Sequence, residues 1–455
     1  MNNKRNFFFR FLKNRYLSLK KAIEYIVYKL KNKNEPNILS LIQQKFYEEK
    51  AQHKSEPKIA IFFNLEHVKK SAITDFSVKT FCRAPEKYHV FSTFSHSAAA
   101  NNALNEISKM LNLPPENLSI FDANNYAAMD AEINYSANIF VLGDSPYNLV
   151  ALEAAIQLRS HRKRNYLHFH DGLYTNLLYS WVVKNHQIWQ EFVQHHYPYV
   201  GQENSLTTED LLKENIRMIK PVIQLTGITQ IIVNADNCIP LINDEVDHQQ
   251  IHYIKAYLPI PDYRKITPVS YKKTNDFIVA HFGIPNSFKH IDILIEAITL
   301  LRQKHNVKLL LAGYGVKKYV KSLPSIQQQF ILFEESPASS RMLSLMKGAD
   351  LTVQLRWPSL GQGSGVVTEM LGLGLKCITT EKFMNECFED YALELPAGIS
   401  PELLAEAILK NQGKMIISPE KHAKLLEEFS YSASANHIFN QTTKKISEEL
   451  LTEIS

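Results

Sequence analysis

"LRWPSLGQGSGVVTEMLGLGLKCITT", residues 355 to 380, decides the reading of the fold. The apolar run "DLTVQLR" (350–356) ahead of it reads as a buried strand, and "KCITT" (376–380) as the next one. Between them lie a glycine-rich turn and a short apolar helix carrying one acid, Glu369, in its first turns. Strand, turn, helix, strand is the unit of a parallel sheet covered by helices. Gly361, Gly363 and Gly365 allow backbone N–H groups to approach a ligand without Cβ obstruction. The helix start after Ser364 offers free N–H donors and a positive dipole end, which suit an anion. Arg356 adds a guanidinium that chelates phosphate oxygens, and Glu369 can accept hydrogen bonds from two ribose hydroxyls. The plain alternative is a strand–turn–helix with a surface glutamate.

Outward from this stretch the pattern repeats. "DFIVAHFG" (276–283), "VKLLLAG" (307–313) and "FILFEE" read as strands, with "HIDILIEAITLLRQKH" and "SSRMLSLMKGA" as helices. Gly283 closes one strand and Lys289 stands before the next helix, placed to neutralise a diphosphate unless it is merely solvated. Upstream, "KIAIFFNL", "KYHVFSTF", "SIFDA", "NIFVLGD" (138–144), "NYLHFHD" (165–171), "TQIIVNA" (229–235) and "HYIKAYLP" (252–259) form another strand set, interleaved with helical segments. His168, His170 and Asp171 end one of these strands. His170 suits a sugar hydroxyl and Asp171 suits orienting a ring or accepting a proton. A structural strand end and a zinc site are the other readings of this trio. Pro259, Pro261 and Pro268 mark a boundary. The expected domains are residues 1–54, a basic helix and linker; 55–262 and 263–435, two β/α halves; and 436–455, a helix returning to the first half.

The 455 residues are 45% hydrophobic and 21% charged, the composition of a globular chain long enough for two cores. Cys82, Cys238, Cys377 and Cys387 show no zinc spacing and read as reduced thiols in a cytosolic protein. No apolar run reaches the about 18 residues of a membrane span, and no secretion signal is evident. The first 33 residues hold ten Lys/Arg against one acid, net +9; since the whole chain is +5, the remainder carries −4. A nucleic-acid-binding body is therefore disfavoured. Residues 4–33 place Phe8, Phe11, Leu12, Tyr16, Leu19, Ile23, Ile26, Val27 and Leu30 at helical spacing amid lysines and arginines. Such a basic amphipathic helix suits an anionic membrane surface, or docking on its own protein.

Arg356-Trp-Pro358, Gly361-Gln362-Gly363-Ser364-Gly365, Glu369 and Gly374 together resemble the signature of retaining nucleotide-sugar glycosyltransferases of family 4, bacterial envelope-glycan type. "FGIPNSFKHIDILIEAITLLRQKHNVKLLLAGYG" resembles their other donor-domain hallmark, and "VLGDSPYN" with "LHFHDGLY" a first-domain pattern of one bacterial branch. The resemblance spans roughly residues 138–380. It implies the GT-B fold, two Rossmann-like α/β domains facing a cleft. It also implies transfer of a sugar, with retention, from a UDP-, GDP- or dTDP-linked donor to a glycan or lipid-linked acceptor, without cofactor or metal. Glu369 would hold ribose; Lys289, Arg356, Gly283, Gly363, Ser364 and Gly365 would serve the donor, chiefly its diphosphate. His170, Asp171 and Gln362 are the candidate catalytic residues. The implied location is cytoplasmic, peripheral at the inner face of the plasma membrane. Four positions depart from the pattern: Gly361 and Gln362 stand where glutamates are usual, Lys376 replaces a proline and Asn148 a histidine. A degenerate nucleotide-binding partner subunit and a nucleotide-sugar epimerase stay open as alternatives.

Overall fold

The computed structural model describes residues 37–49, 57–66, 68, 71–160, 164–201, 206–269, 276–380, 386–412 and 416–454. The basic segment 4–33 lies outside the described residues. The described residues form thirteen strands: β1 (Ile59–Phe62), β2 (Tyr88–Ser92), β3 (Ile120–Asp122), β4 (Ala137–Leu142), β5 (Arg164–Phe169), β6 (Gln230–Val233), β7 (His252–Lys255), β8 (Phe277–Phe282), β9 (Val307–Gly313), β10 (Ile331–Glu335), β11 (Leu351–Gln354), β12 (Cys377–Thr380) and β13 (Ala392–Leu395). They build a seven-stranded sheet, β3-β2-β1-β4-β5-β6-β7, and a six-stranded sheet, β10-β9-β8-β11-β12-β13. Pairing is parallel throughout the second sheet, as it is for β1–β2, β2–β3, β5–β6 and β6–β7.

The chain divides into two compact units, 1–138 and 139–455. The first is held by an aromatic core. Phe62 stacks on Phe91, Tyr126 on Tyr135, and the buried His89 bonds the Tyr135 hydroxyl at 2.7 Å. Its opening helix runs Ile38–Glu49, within the 1–54 segment expected as a basic helix and linker.

In the second unit, alternate residues of each strand serve opposite layers, as a sheet covered on both faces requires. Val279, Leu309, Leu311 and Val353 pack with Leu294, Ile295 and Ile298 of helix Ile291–Leu301. Ile278, Ala280, Phe282 and Leu310 turn the other way, toward Leu343, Met346 and Met370. The proline-marked segment near 260–269 lies against the helices of this second face. Ile260, Tyr263 and Val269 donate backbone bonds to Phe429, Gly372 and Ser344 at 2.7, 3.0 and 3.0 Å. A Cβ on Gly372 would come within 2.1 Å of the Pro261 carbonyl oxygen, so this approach needs glycine.

Two segments differ from the sequence expectation. "DLTVQLR" leaves the sheet at Gln354, not Arg356. There the Thr380 hydroxyl replaces the ladder, accepting from the Arg356 N–H at 3.0 Å and donating to its carbonyl at 2.7 Å. The last helix spans Tyr431–Ile454, and His437 in it bonds the Lys255 carbonyl at 2.8 Å.

Candidate functional site

The glycine-rich turn leads into helix Gly365–Gly372 with Ser364 as its N-cap. The Ser364 hydroxyl accepts from the Val367 N–H at 3.2 Å and its carbonyl from Thr368 at 3.0 Å. The amides of Gly365 and Val366 have no intrahelical acceptor, as first-turn geometry dictates. This is the helix start the sequence suggested, with Ser364 committed to capping through its side chain. Glu369 is half-buried at the fifth position of the helix.

Lys289 lies in a 3-10 turn, Ser287–Lys289, that follows β8. Its amine rests over Gly283, where a Cβ would lie 2.5 Å from Nζ; Gly283 is also in the left-handed region at φ +105°. Glycine at 283 therefore makes room for the lysine. Burial lowers the Lys289 pKa to about 7, with the Arg356 guanidinium adding to the shift. No carboxylate among the described residues pairs with it. His281, in β8, donates from Nδ1 to the Val353 carbonyl, 2.9 Å away, and burial beside Lys289 holds it neutral with a pKa of about 3. The Lys289 turn is tied to the Arg356 loop by His290, which stacks on Trp357 at 3.5 Å and bonds its carbonyl at 2.7 Å.

Arg356, Gln362 and Asp171 form a chain. The Gln362 carbonyl oxygen accepts from Arg356 Nη1, and the Gln362 side chain also hydrogen-bonds the Asp171 carboxylate. The second Asp171 contact is the backbone N–H of Asp144, which donates to Oδ2 at 2.7 Å. Burial raises the Asp171 pKa, while these donors and Arg356 favour its charged form. Asp144 in turn receives the Asn176 and Leu177 amides at 2.6 and 3.0 Å, capping helix Thr175–Lys184. Burial lifts its pKa to about 6.

His170 follows β5 and belongs to a second chain. His168 Nε2 lies 2.7 Å from Asn234 Oδ1, and Asn234 Nδ2 lies 2.7 Å from His170 Nδ1. The two rings are 4.5 Å apart. Burial lowers both pKa values, that of His168 to about 4, so both rings are neutral at pH 7. His170 Nε2 is buried without a partner among the described residues.

The loops after β5 and β11 meet backbone to backbone. Gly172 N–H donates to the Leu360 carbonyl at 2.7 Å. A Cβ on Gly361, which sits at φ +69°, would fall 3.0 Å from Gly172 Cα and 3.1 Å from Cys238 Cα. The structure thus brings His170, Asp171, Arg356, Gln362 and the Gly361–Gly365 loop together, and sets Gly283 and Lys289 just past the end of β8, the strand next to β11.

The departures from the family pattern acquire physical reasons. Position 361 has no space for a glutamate. A glutamate at 362 would face the Asp171 carboxylate, whereas glutamine offers an acceptor to Arg356 and a donor to Asp171. Asn148 is buried and closes the turn after β4 by donating to the Gly143 carbonyl at 3.0 Å. Lys376 reaches the Asp390 carbonyl at 2.8 Å. Sequence reasoning missed Asn234, Asp144, His281 and the His290–Trp357 stack. Register held a clue to Asn234. Phe169 pairs with Val233, so the residues just beyond each strand end, His170 and Asn234, stand level. Among the described residues no group of three His, Cys, Asp or Glu side chains is arranged to hold a metal ion, and no helix is long and apolar enough to cross a membrane.

No protein-family model matches this sequence, and no curated protein does. Solved structures do. Anabaena HepE in complex with UDP-glucose is similar at a TM-score of 0.53 and 15% identity, over 86% of this chain and 100% of that one. Sucrose-phosphate synthase of Thermosynechococcus elongatus gives 0.53 and 12%, over 86% and 100%. The lipopolysaccharide outer core galactosyltransferase WaaB, in its apo form, gives 0.53 and 10%, over 85% and 99%. At such identities the likeness is one of fold: this chain has the GT-B glycosyltransferase fold, two parallel-sheet α/β domains.

Proposed function

We propose that the protein is a retaining glycosyltransferase that takes a sugar from a nucleotide-sugar donor and passes it to a glycan or lipid-linked acceptor, with no metal. The observation that carries this reading is a half-buried lysine, Lys289, with no carboxylate partner among the described residues, beside Arg356 and a helix N-terminus at the strand ends of a GT-B fold. A diphosphate is the ligand that such a grouping fits, because its charge would offset the desolvation of Lys289.

In this reading Glu369 accepts from the ribose hydroxyls, and Lys289, Arg356 and the amides of Gly365 and Val366 hold the diphosphate. Departure of the nucleoside diphosphate develops negative charge on its terminal phosphate, and donors already in place stabilise it without reorganisation. His170 offers its imidazole to the sugar. Asp171, oriented by Gln362 and the Asp144 amide, lies beside it as a carboxylate able to bind a hydroxyl of sugar or acceptor. No protein nucleophile is assigned. Gln362 and Asn148 are the main sequence support for a degenerate subunit; the fit of Gln362 between Arg356 and Asp171 and the bond of Asn148 to the Gly143 carbonyl weaken that support. Peripheral attachment to the cytosolic membrane face rests on the sequence of residues 4–33 alone.

Release of nucleoside diphosphate from a panel of UDP-, GDP- and dTDP-sugars, in chelator and with or without anionic liposomes carrying membrane glycolipid, tests the proposal. Release from one donor, lost in Glu369→Ala, is expected. No release and no thermal stabilisation by any nucleotide would overturn it.

A further inference from the structure

His170 and Asn234 are presented by adjacent strand ends, and the contact between them has a chemical polarity. The Asn234 amide has an acceptor end and a donor end. Its oxygen faces His168 Nε2 and its nitrogen faces His170 Nδ1, each at 2.7 Å. With the amide in this orientation its nitrogen donates and Nδ1 of His170 accepts; the swapped amide would put the His170 proton on Nδ1, so the orientation of Asn234 and the tautomer of His170 are one question. A neutral imidazole with one nitrogen accepting carries its proton on the other. That other nitrogen, Nε2, is the buried atom with no partner among the described residues.

We propose that Asn234 is a positioning residue that fixes His170 as the neutral Nε2–H tautomer, a hydrogen-bond donor aimed at a hydroxyl of the transferred sugar. The tautomer assignment stands on the orientation of the Asn234 amide between the two rings; its use toward the sugar rests on the glycosyl-transfer reading. Three features support the assignment. The His170 ring is held at both ends of its own segment, with its backbone N–H on the Leu142 carbonyl at 2.9 Å and Nδ1 on Asn234. His168 completes the chain from beneath and orients the amide. The Asn234 carbonyl lies 3.7 Å from where a Cβ would stand on Gly363, so the same residue also lies under the glycine-rich loop. Burial keeps both rings neutral, so the donor role requires no protonation event.

A fixed donor makes a chemical distinction. Nε2–H can bind a hydroxyl oxygen as acceptor, and a site that hydrogen-bonds a hydroxyl discriminates against analogues lacking it, because the buried donor is then left unpaired. Asn234 therefore acts on the sugar half of the donor, not on the nucleotide.

The test is the 15N spectrum of imidazole-labelled full-length protein, with and without nucleotide. Wild type is expected to show His170 with Nε2 protonated and Nδ1 bare. In Asn234→Asp, close in shape, the carboxylate can only accept, and His170 is expected to gain an Nδ1 proton. In Asn234→Leu the preference for Nε2–H is expected to weaken. Wild-type protein with the His170 proton on Nδ1, or a tautomer unchanged in Asn234→Asp, would overturn the proposal. Binding gives the second readout. Loss of one neutral hydrogen bond corresponds to about a tenfold weaker affinity for the nucleotide sugar in Asn234→Asp, with affinity for the free nucleoside diphosphate unchanged. Equal losses for both ligands would sink the sugar-facing role. Failure of every nucleotide to bind wild type would sink the glycosyltransferase reading and leave the tautomer result standing.

Discussion

Arg356 and Lys289 enter the site from the segments that follow two neighbouring strands of the second sheet, β11 and β8, and the chain treats the two cations in opposite ways. Arg356 is answered from within, by Gln362 and by the charge of Asp171. Lys289 is desolvated, pressed over Gly283 beside Arg356, and has no carboxylate partner among the described residues. A cation satisfied by the protein shapes a site. A cation left without a counter-ion makes binding of an anion favourable, because the ligand removes a penalty the empty fold carries.

The sharpest way to break this comparison is Lys289→Met. Affinity for a nucleoside diphosphate should fall by about 100-fold or more, the scale of a lost charged donor, as titration calorimetry would measure. The ligand-free fold should gain on the order of 1 kcal/mol in urea unfolding, since a desolvated lysine is gone. A variant that binds normally would place the anion elsewhere.

The pH dependence separates the two cations next. Lys289 is lowered in the folded state to about 7 from its ordinary 10.5, so between those values the unfolded chain binds more protons. Stability should therefore rise with pH through this window. The slope should be reduced in Lys289→Met relative to wild type, measured by unfolding at pH 7 and pH 9. Identical slopes would mean that Lys289 is not desolvated.

Gln362→Glu tests the satisfied side. A carboxylate there would face Asp171, and like charges at hydrogen-bond distance push one pKa up and cost about 1–3 kcal/mol. Asp171→Asn in the same chain should recover most of the lost thermal stability. No destabilisation by Gln362→Glu would remove the physical reason given for glutamine.

The smallest effect is expected at Gly283→Ala. The new methyl would lie against the Lys289 amine and the left-handed backbone would strain, destabilising by about 1 kcal/mol. The lysine's flexible end can shift, so diphosphate affinity should fall by only about threefold to tenfold, again by calorimetry.

The second sheet was legible because its buried strands are apolar runs such as "VKLLLAG" and "FIVAHF", bounded by glycine and polar turns. β13 was not: "ALEL" is half-buried at a sheet edge and has no apolar run to read. The short helices between Thr175 and Asn243 were equally hidden, being too brief for a clear period. Within the site, the glycine loop, Lys289, Arg356 and Glu369 were readable from local spacing. Asn234 and Asp144 were not, because each acts on a residue 64 or 27 positions away. Only the register of adjacent strands brings such pairs together. Gly361 shows the same limit: its lack of a side chain looked like a lost glutamate until Gly172 was found against it.

If Lys289 waits for a diphosphate, proton counting should show it. Binding of UDP, GDP and dTDP would be measured by calorimetry at pH 8 in two buffers of different ionisation enthalpy. At that pH a lysine with a pKa near 7 is mostly neutral, so an arriving dianion should draw a proton onto it. At least one nucleotide should bind with net proton uptake, lost in Lys289→Met. Binding without proton uptake, unaltered in that variant, would contradict it.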